Sequence, residues 1–187
     1  IYIGGGTPSV VDSKVIKNII ETIKYNFYVR EDAEITIEIN PGTVEEQKLK
    51  DYFECGINRL SIGLQETDDN LLKLIGRIHT YEQFTETYKL ARKVGFDNIN
   101  VDLMIGLPNQ NIQNVQKSLQ QIIKLKPEHI SVYSLILEQG TILNEMVENK
   151  TIIPIEDREE REMYWYVKKE LEKSGYIHYE ISNYSKP

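Results

Sequence analysis

Three consecutive glycines near the beginning of the chain are the residues best suited to bind a ligand. Residues 1–9 read IYIGGGTPS, a short apolar strand that runs into Gly4, Gly5 and Gly6 and then into a turn. Because glycine has no Cβ and adopts positive φ at little cost, a ligand can approach this backbone closely. We interpret the segment as a ligand-binding corner, with a tight connection or a phosphate cradle as the alternatives. It does not match the G-x-G-x-x-G dinucleotide motif.

Three polar residues come late in the strands predicted further along the chain. Glu38, Gln65 and Asp102 are each assigned to the C-terminal end of a strand. In barrels of parallel strands, the catalytic and ligand-binding residues lie at this end of the strands. Carboxylates there accept hydrogen bonds from ammonium or hydroxyl donors. We therefore predict that the three side chains converge on one ligand.

Strands and helices alternate along the sequence, which predicts parallel βαβ units. Apolar residues with helical spacing and glycines at helix ends set most of the boundaries. The predicted strands cover residues 1–4, 34–39, 59–65, 99–105, 129–135 and 176–182. The predicted helices cover residues 10–27, 44–54, 69–75, 81–94, 112–125, 142–148 and 157–174, the first capped by Thr7-Pro8-Ser9 and the third by Asp68 or Asp69.

Polar and apolar residues alternate within the strands predicted at 34–39, 59–65 and 99–105. A central strand of a doubly wound sheet carries helices on both faces and is apolar on both. These strands are apolar on one face only, which favours a barrel or partial barrel with a polar, ligand-holding interior. The alternative is a sheet with one side open to solvent.

Composition limits the kinds of partner. The chain has 187 residues, which suits one domain, and a net charge of −7, which argues against a general nucleic-acid or anionic-membrane surface. No apolar run reaches the roughly 18 residues of a membrane-spanning helix, so we predict no transmembrane segment and a cytoplasmic location. Cys55 is the single cysteine, so it builds neither a disulfide nor a thiolate metal site.

Five segments, in this order and spacing, carry a family resemblance: YIGGGTPS, EITIEINPGT, GINRLSIGLQ, LLKLIGRIHT and NINVDLMIGLP. They resemble the radical S-adenosylmethionine (SAM) proteins of the family that contains the oxygen-independent coproporphyrinogen III oxidases (HemN) and the HemW heme chaperones. The resemblance covers essentially the whole chain. It implies an α/β fold, a partial (β/α)6 barrel with parallel strands and an interior SAM site. We expect a single core domain over residues 1–187, with a family-specific extension at 141–187.

The resemblance also implies which residues contact SAM. Gly5, Gly6 and Thr7 are similar to the backbone shelf under the methionine end of SAM. Arg77 is similar to an arginine near the SAM carboxylate, although an arginine after a helix is often a surface residue that caps carbonyls. The remaining implied contacts are Glu38, Gln65 and Asp102.

The sequence departs from the family pattern at its beginning. Family catalysis needs a C-x3-C-x2-C segment whose thiolates hold a [4Fe-4S] cluster, and Cys55 cannot replace it. The chain opens without methionine and within a strand. We therefore expect an N-terminally truncated chain without the first strand and the cluster loop, inactive alone, with the cluster in the full-length parent only. We assign no catalytic or metal-ligating residue to these 187 residues.

Two functions in porphyrin metabolism are consistent with the resemblance. An oxidase uses the cluster and SAM to decarboxylate two propionates of coproporphyrinogen III to vinyl groups, with the hard chemistry supplied by the cofactors. A chaperone keeps both cofactors but carries heme to an acceptor protein. The segments SVYSLILEQGT and HYEISNYSKP favour the chaperone. The partners implied are heme or coproporphyrinogen III, an electron donor and a heme-acceptor protein. A barrel that binds a sugar phosphate at the glycine corner is a third alternative.

The C-terminal part adds weaker candidates. His178 is interpreted as a structural strand histidine, with heme ligation as the alternative. The aromatic run Tyr164, Trp165 and Tyr166 is predicted to pack its helix against the barrel, with a flat porphyrin-binding surface as the alternative. The inward-facing stripe of this helix is predicted to be Tyr164, Val167 and Leu171.

Overall fold

The alternating apolar and helix-periodic segments form a seven-stranded sheet with helices between most of its strands. The computed structural model describes residues 1–187. The strands are β1 (Tyr2–Ile3), β2 (Thr36–Ile39), β3 (Arg59–Gln65), β4 (Ile99–Ile105), β5 (His129–Ser134), β6 (Ile177–Tyr179) and β7 (Asn183–Ser185). The helices are α1 (Ser13–Asn26), α2 (Glu46–Glu54), α3 (Asp69–Leu74), α4 (Tyr81–Val94), α5 (Ile112–Leu125), α6 (Ile142–Glu148) and α7 (Asp157–Lys173).

The sheet has the strand order β1-β2-β3-β4-β5-β7-β6. Strand β2 pairs in parallel with β1 and with β3, and its register places Glu38 opposite Ser61. Strand β7 pairs antiparallel with both β5 and β6. The two edge strands do not pair with each other, so the sheet is unclosed. This mainly parallel α/β architecture confirms the predicted fold class.

Two compact units divide the chain, and the first contains residues 1–64 and 82–101. Its core combines apolar strand residues such as Ile37 and Leu60 with the buried faces of α1, α2 and α4. The alternating polar residues are buried too: Thr36, Ser61 and Asn100 are at most 3% exposed, and Asn100 Nδ2 donates to Ser61 Oγ at 2.8 Å. In this unit the polar strand face is therefore not open to solvent.

The second unit contains residues 65–81 and 102–187. In it α5 packs against α7, and β5 pairs with β7. The buried stripe of α7 is Met163, Val167 and Leu171, so the prediction of Tyr164 is wrong by one position. Residues four apart lie on one helical face, and spacing of four from Val167 selects Met163. The predicted single core domain stays a prediction.

Most predicted bounds agree with the structure to within two residues, but two predicted elements differ by more than that. The helix predicted from residue 10 is preceded by a separate 3₁₀ turn, Pro8–Val10, and α1 starts only at Ser13, because the Asp12 side chain accepts the N–H of Lys14 at 2.8 Å. The last predicted strand is instead the antiparallel hairpin of β6 and β7. Its turn includes Glu180 at φ 57°, a left-handed conformation that ends the first strand.

Trp165, the central residue of the aromatic run on α7, does not pack as predicted. The Trp165 side chain is 58% exposed, and the Lys168 ammonium lies 5.5 Å from its ring centre. His178 stacks on Tyr184 with ring centres 4.7 Å apart, and its Nε2 lies 3.1 Å from the carbonyl oxygen of Ile181. These contacts are those of a structural histidine. None of the helices combines the length and the apolar character needed to cross a membrane.

Candidate functional site

The glycine corner presents open backbone. Gly5 and Gly6 have φ values of 89° and 62°, which other residues rarely adopt. A Cβ added at either position would find no atom within 4 Å, so the space beside both is open to a ligand. Thr7 is the residue after the glycines, and its Oγ1 accepts a hydrogen bond from Asn40 Nδ2 at 3.1 Å. The corner therefore presents accessible backbone at Gly5 and Gly6.

Glu38 lies against the corner, as the next-to-last residue of β2. Its Oε1 accepts the Tyr2 hydroxyl at 2.7 Å, and its Oε2 accepts the backbone N–H of Gly5 at 3.2 Å. A carboxylate offers about four acceptor positions, so further donors can still be accommodated. The carboxylate is also only partly buried. Within the first unit, the corner and Glu38 thus form one local group.

Gly4 belongs to this group, although its sequence position predicted no contact of its own. A Cβ at Gly4 would lie 2.8 Å from Tyr2 Cε1 and 2.9 Å from the carboxyl carbon of Glu38. Carbon atoms that are not bonded do not approach so closely, so only glycine fits here without moving Glu38. The only sequence signal was its place as the first glycine of the run, which did not reveal this steric role.

A polar network holds the corner in place. The hydroxyl of Ser9, a fully buried residue, lies 2.6 Å from Thr43 Oγ1 and accepts the N–H of Asn40 at 3.1 Å. Lys48 Nζ donates to the Ser9 carbonyl oxygen at 2.5 Å. These contacts fix the segment after the glycines to the loop that follows β2 and to helix α2. Sequence periodicity does not reveal these contacts, because their partners are more than 30 residues apart.

In the second unit, Gln65 is the last residue of β3 and is almost completely buried. It adopts φ 73°, the left-handed region that residues other than glycine occupy at a cost. Such conformations cost on the order of 1–3 kcal/mol and concentrate at ligand sites and switches. The predicted contact residue is therefore also a strained one.

Arg77 and Asp102, also in the second unit, are electrostatic neighbours. Burial lowers the pKa of Arg77, and the nearby Asp102 carboxylate opposes this shift by favouring the charged guanidinium. Arg77 is half-buried, which does not match the alternative of a surface residue. Asp102 lies in the middle of β4, so its predicted place at the strand end is wrong. The apolar alternation continues through Leu103 and Ile105, and the strand continues with it.

The residues of this chain do not fit an iron–sulfur cluster. No three His, Cys, Asp or Glu side chains gather into a group that could hold a metal. Cys55 is buried, and this burial raises the pKa of its thiol, which disfavours the thiolate that a cluster needs. Thiolate ligands for a cluster would have to come from other residues.

The chain is similar to known proteins of one family. The sequence profile of the radical SAM superfamily matches residues 1–122. The heme chaperone HemW of Lactococcus lactis is 37% identical over 188 residues, covering 100% of this chain and 49% of that protein. HemW of Bacillus subtilis is 37% identical over 187 residues, with the same coverage. The chain thus spans about half the length of these curated relatives.

A solved structure agrees with this assignment. Coproporphyrinogen III oxidase (HemN) from Escherichia coli, described as a radical SAM enzyme, superposes with a TM-score of 0.89 at 26% identity. The match covers 100% of this chain and 43% of that one. Because the superfamily profile spans more than half of the chain, and the relatives and the superposed fold agree with it, the chain belongs to the radical SAM superfamily, in its HemN and HemW branch.

Proposed function

We propose that the full-length protein containing this chain is a HemW-type heme chaperone that uses SAM. The observation that carries the proposal is the similarity at 37% identity, over the whole chain, to proteins named heme chaperone HemW. The proposal is also supported by two segments whose sequences resemble the chaperone branch more than the oxidase branch, SVYSLILEQGT and HYEISNYSKP. The heme, a heme-acceptor protein, an electron donor and a cytoplasmic location are parts of this proposal.

Two local groups are proposed to bind SAM, each argued within its own unit. In the first, the open backbone of Gly5, Gly6 and Thr7 receives the methionine end, and Glu38 accepts a hydrogen bond from the ammonium. Glu38 suits this role because Tyr2 and Gly5 already fix its orientation. In the second, the Gln65 amide forms hydrogen bonds with SAM, and the Arg77 guanidinium pairs with the carboxylate of SAM. The Asp102 carboxylate accepts hydrogen bonds from the ribose hydroxyls.

When bound, SAM supplies a sulfonium that accepts one electron and breaks at a carbon–sulfur bond. The chain's own residues orient this ligand and keep water away from it. The [4Fe-4S] cluster is proposed to be held by cysteines outside residues 1–187, since Cys55 does not fit the role. The 187 residues alone are therefore expected to bind SAM weakly and to perform no radical chemistry.

The second candidate function is that of an oxygen-independent coproporphyrinogen III oxidase. The observation that favours it is the HemN structure, which superposes on the whole chain with a TM-score of 0.89. An oxidase must hold each propionate close to the reactive carbon, because positioning directs the reaction to one hydrogen. A chaperone needs no such geometry, so one assay separates the two functions.

The test uses the full-length protein, purified and reconstituted without oxygen. Heme is titrated while the absorbance spectrum is recorded, and coproporphyrinogen III is incubated in parallel with SAM and a reductant, followed by product analysis. We expect saturable heme binding and no divinyl product. Conversion at rates typical of enzymes would replace the chaperone proposal by the oxidase. Absence of both activities would reject both candidates.

A further inference from the structure

A buried carboxylate directly follows one of the proposed SAM contacts. Glu66 is only 1% exposed and is the residue after Gln65. Burying a carboxylate is costly unless hydrogen bonds replace the lost water. Glu66 has four such bonds. Its Oε1 accepts the backbone N–H groups of Thr67 at 2.6 Å and Asp68 at 3.3 Å and the Ser118 hydroxyl, and its Oε2 accepts Gln110 Nε2 at 2.6 Å.

These bonds connect three parts of the second unit. Ser118 lies on α5, and its hydroxyl is also 2.8 Å from Thr67 Oγ1. Gln110 lies in the loop after β4. Its Nε2 also donates to the carbonyl oxygen of Met104 at 3.1 Å, and its Oε1 accepts the N–H of Leu107 at 3.2 Å. A single carboxylate thus links the end of β3, the end of β4 and helix α5.

The network acts on the chain just beyond two proposed contact residues. Gln65 keeps a strained left-handed φ, and such a conformation persists only where the surroundings enforce it. The bonds of Glu66 fix the backbone immediately after Gln65. Through Gln110, the same carboxylate holds Met104, two residues after Asp102 in β4. Replacing a buried charged group by well-packed apolar residues often leaves a protein equally stable. Stability alone therefore does not account for a buried carboxylate at Glu66.

We infer that Glu66 is a positioning residue for SAM binding, which sets the conformation of Gln65 and the strand segment that carries Asp102. The inference rests on the proposed function, because it assumes that these two residues contact SAM. Glu66 itself is not expected to touch the ligand, since its four hydrogen bonds are made within the protein.

The test variant is Glu66→Gln in the full-length protein. It keeps the shape of the side chain but places an NH2 donor where all four partners are donors. We expect the Kd for SAM, measured by equilibrium dialysis at a temperature where every variant is folded, to rise by about tenfold or more, which equals about 1.4 kcal/mol. Amide hydrogen exchange should become faster at residues 65–68 and 104–110.

The matched control is Val167→Ala, because Val167 is buried in the same unit but lies on α7, which contributes no residue to the network. Like Glu66→Gln, this control should lose thermal stability. Its Kd for SAM should nevertheless stay within about twofold of the wild type.

The outcomes separate the inference from the proposed function. A wild-type protein that does not bind SAM overturns the proposed function and the inference with it. A wild type that binds SAM, with Glu66→Gln binding equally well or losing no more affinity than Val167→Ala, overturns the inference alone. Loss of affinity without faster exchange at residues 65–68 would also overturn it, because the backbone would then not have moved.

Discussion

The carboxylate of Glu38 accepts the backbone N–H of Gly5 at 3.2 Å, so strand β2 orients the first left-handed glycine of the corner. The other oxygen of this carboxylate accepts the Tyr2 hydroxyl at 2.7 Å. Gly4 makes this arrangement possible, since it leaves room for the carboxyl group. The residue predicted to contact SAM is therefore also one that builds the shelf.

Gly4→Ala tests this steric role in the full-length protein. The added methyl group would collide with Glu38 and Tyr2, and Gly4 does not have a positive φ, so the collision is the main effect. We expect SAM binding to weaken by about 1–3 kcal/mol, the usual cost of lost polar pairing. Isothermal titration calorimetry measures the change. Gly140→Ala is the control for an added methyl group that meets no neighbour: no atom lies within 4 Å of its Cβ, and its φ of 80° costs backbone strain without a collision. Equal affinity in Gly4→Ala and wild type would contradict the role.

Asp102→Ala tests the proposed contact in β4. The substitution removes a proposed partner of SAM, and it also removes the carboxylate that favours the charged form of the half-buried Arg77. We expect SAM binding to weaken by about 1–3 kcal/mol, with a smaller loss of folding stability. The control is Asp97→Ala, because Asp97 is exposed and lies just before the same strand. A SAM affinity that matches this control would remove Asp102 from the proposed site.

Tyr52 gives a prediction about pH and stability. Its side chain is fully buried, and its hydroxyl has no hydrogen-bond partner among the protein atoms. Burial raises the pKa of Tyr52 to about 12. The unfolded chain releases this proton near its ordinary pKa of about 10. Tyr52 therefore makes its full contribution to folding stability below about pH 10, and this contribution is lost as the pH rises towards 12, by up to about 1.4 kcal/mol per pH unit.

We expect Tyr52→Phe to remove this part of the alkaline loss. At neutral pH the variant should be as stable as the wild type or up to about 1 kcal/mol more stable, because an unpaired buried hydroxyl is eliminated. Urea unfolding at about pH 7, 9 and 11 measures both effects relative to the wild type. Tyr25→Phe is the control, since Tyr25 is 90% exposed. Parallel stability profiles of Tyr52→Phe and wild type between about pH 9 and 11 would refute the assignment.

Local sequence determined most elements and the family. The bounds of β3, β4, α4, α5 and α6 are those predicted, because apolar periodicity, glycines after helix ends and polar caps act within a few residues. The five segments from YIGGGTPS to NINVDLMIGLP also identified the family. Where two local signals competed, the prediction was wrong. The apolar spacing of residue 10 suggested a helix, but the Asp12 cap decided its start.

The tertiary structure alone decided how the site residues are supported. The contacts of Glu38 with Tyr2 and Gly5 join residues more than 30 positions apart, and the contact of Glu66 with Gln110 joins residues 44 positions apart. Periodicity carries no information over such separations, because it reports only which face of an element is buried. The steric requirement at Gly4, the left-handed φ of Gln65 and the buried hydrogen bonds of Glu66 arise only when the folded backbone brings distant side chains together.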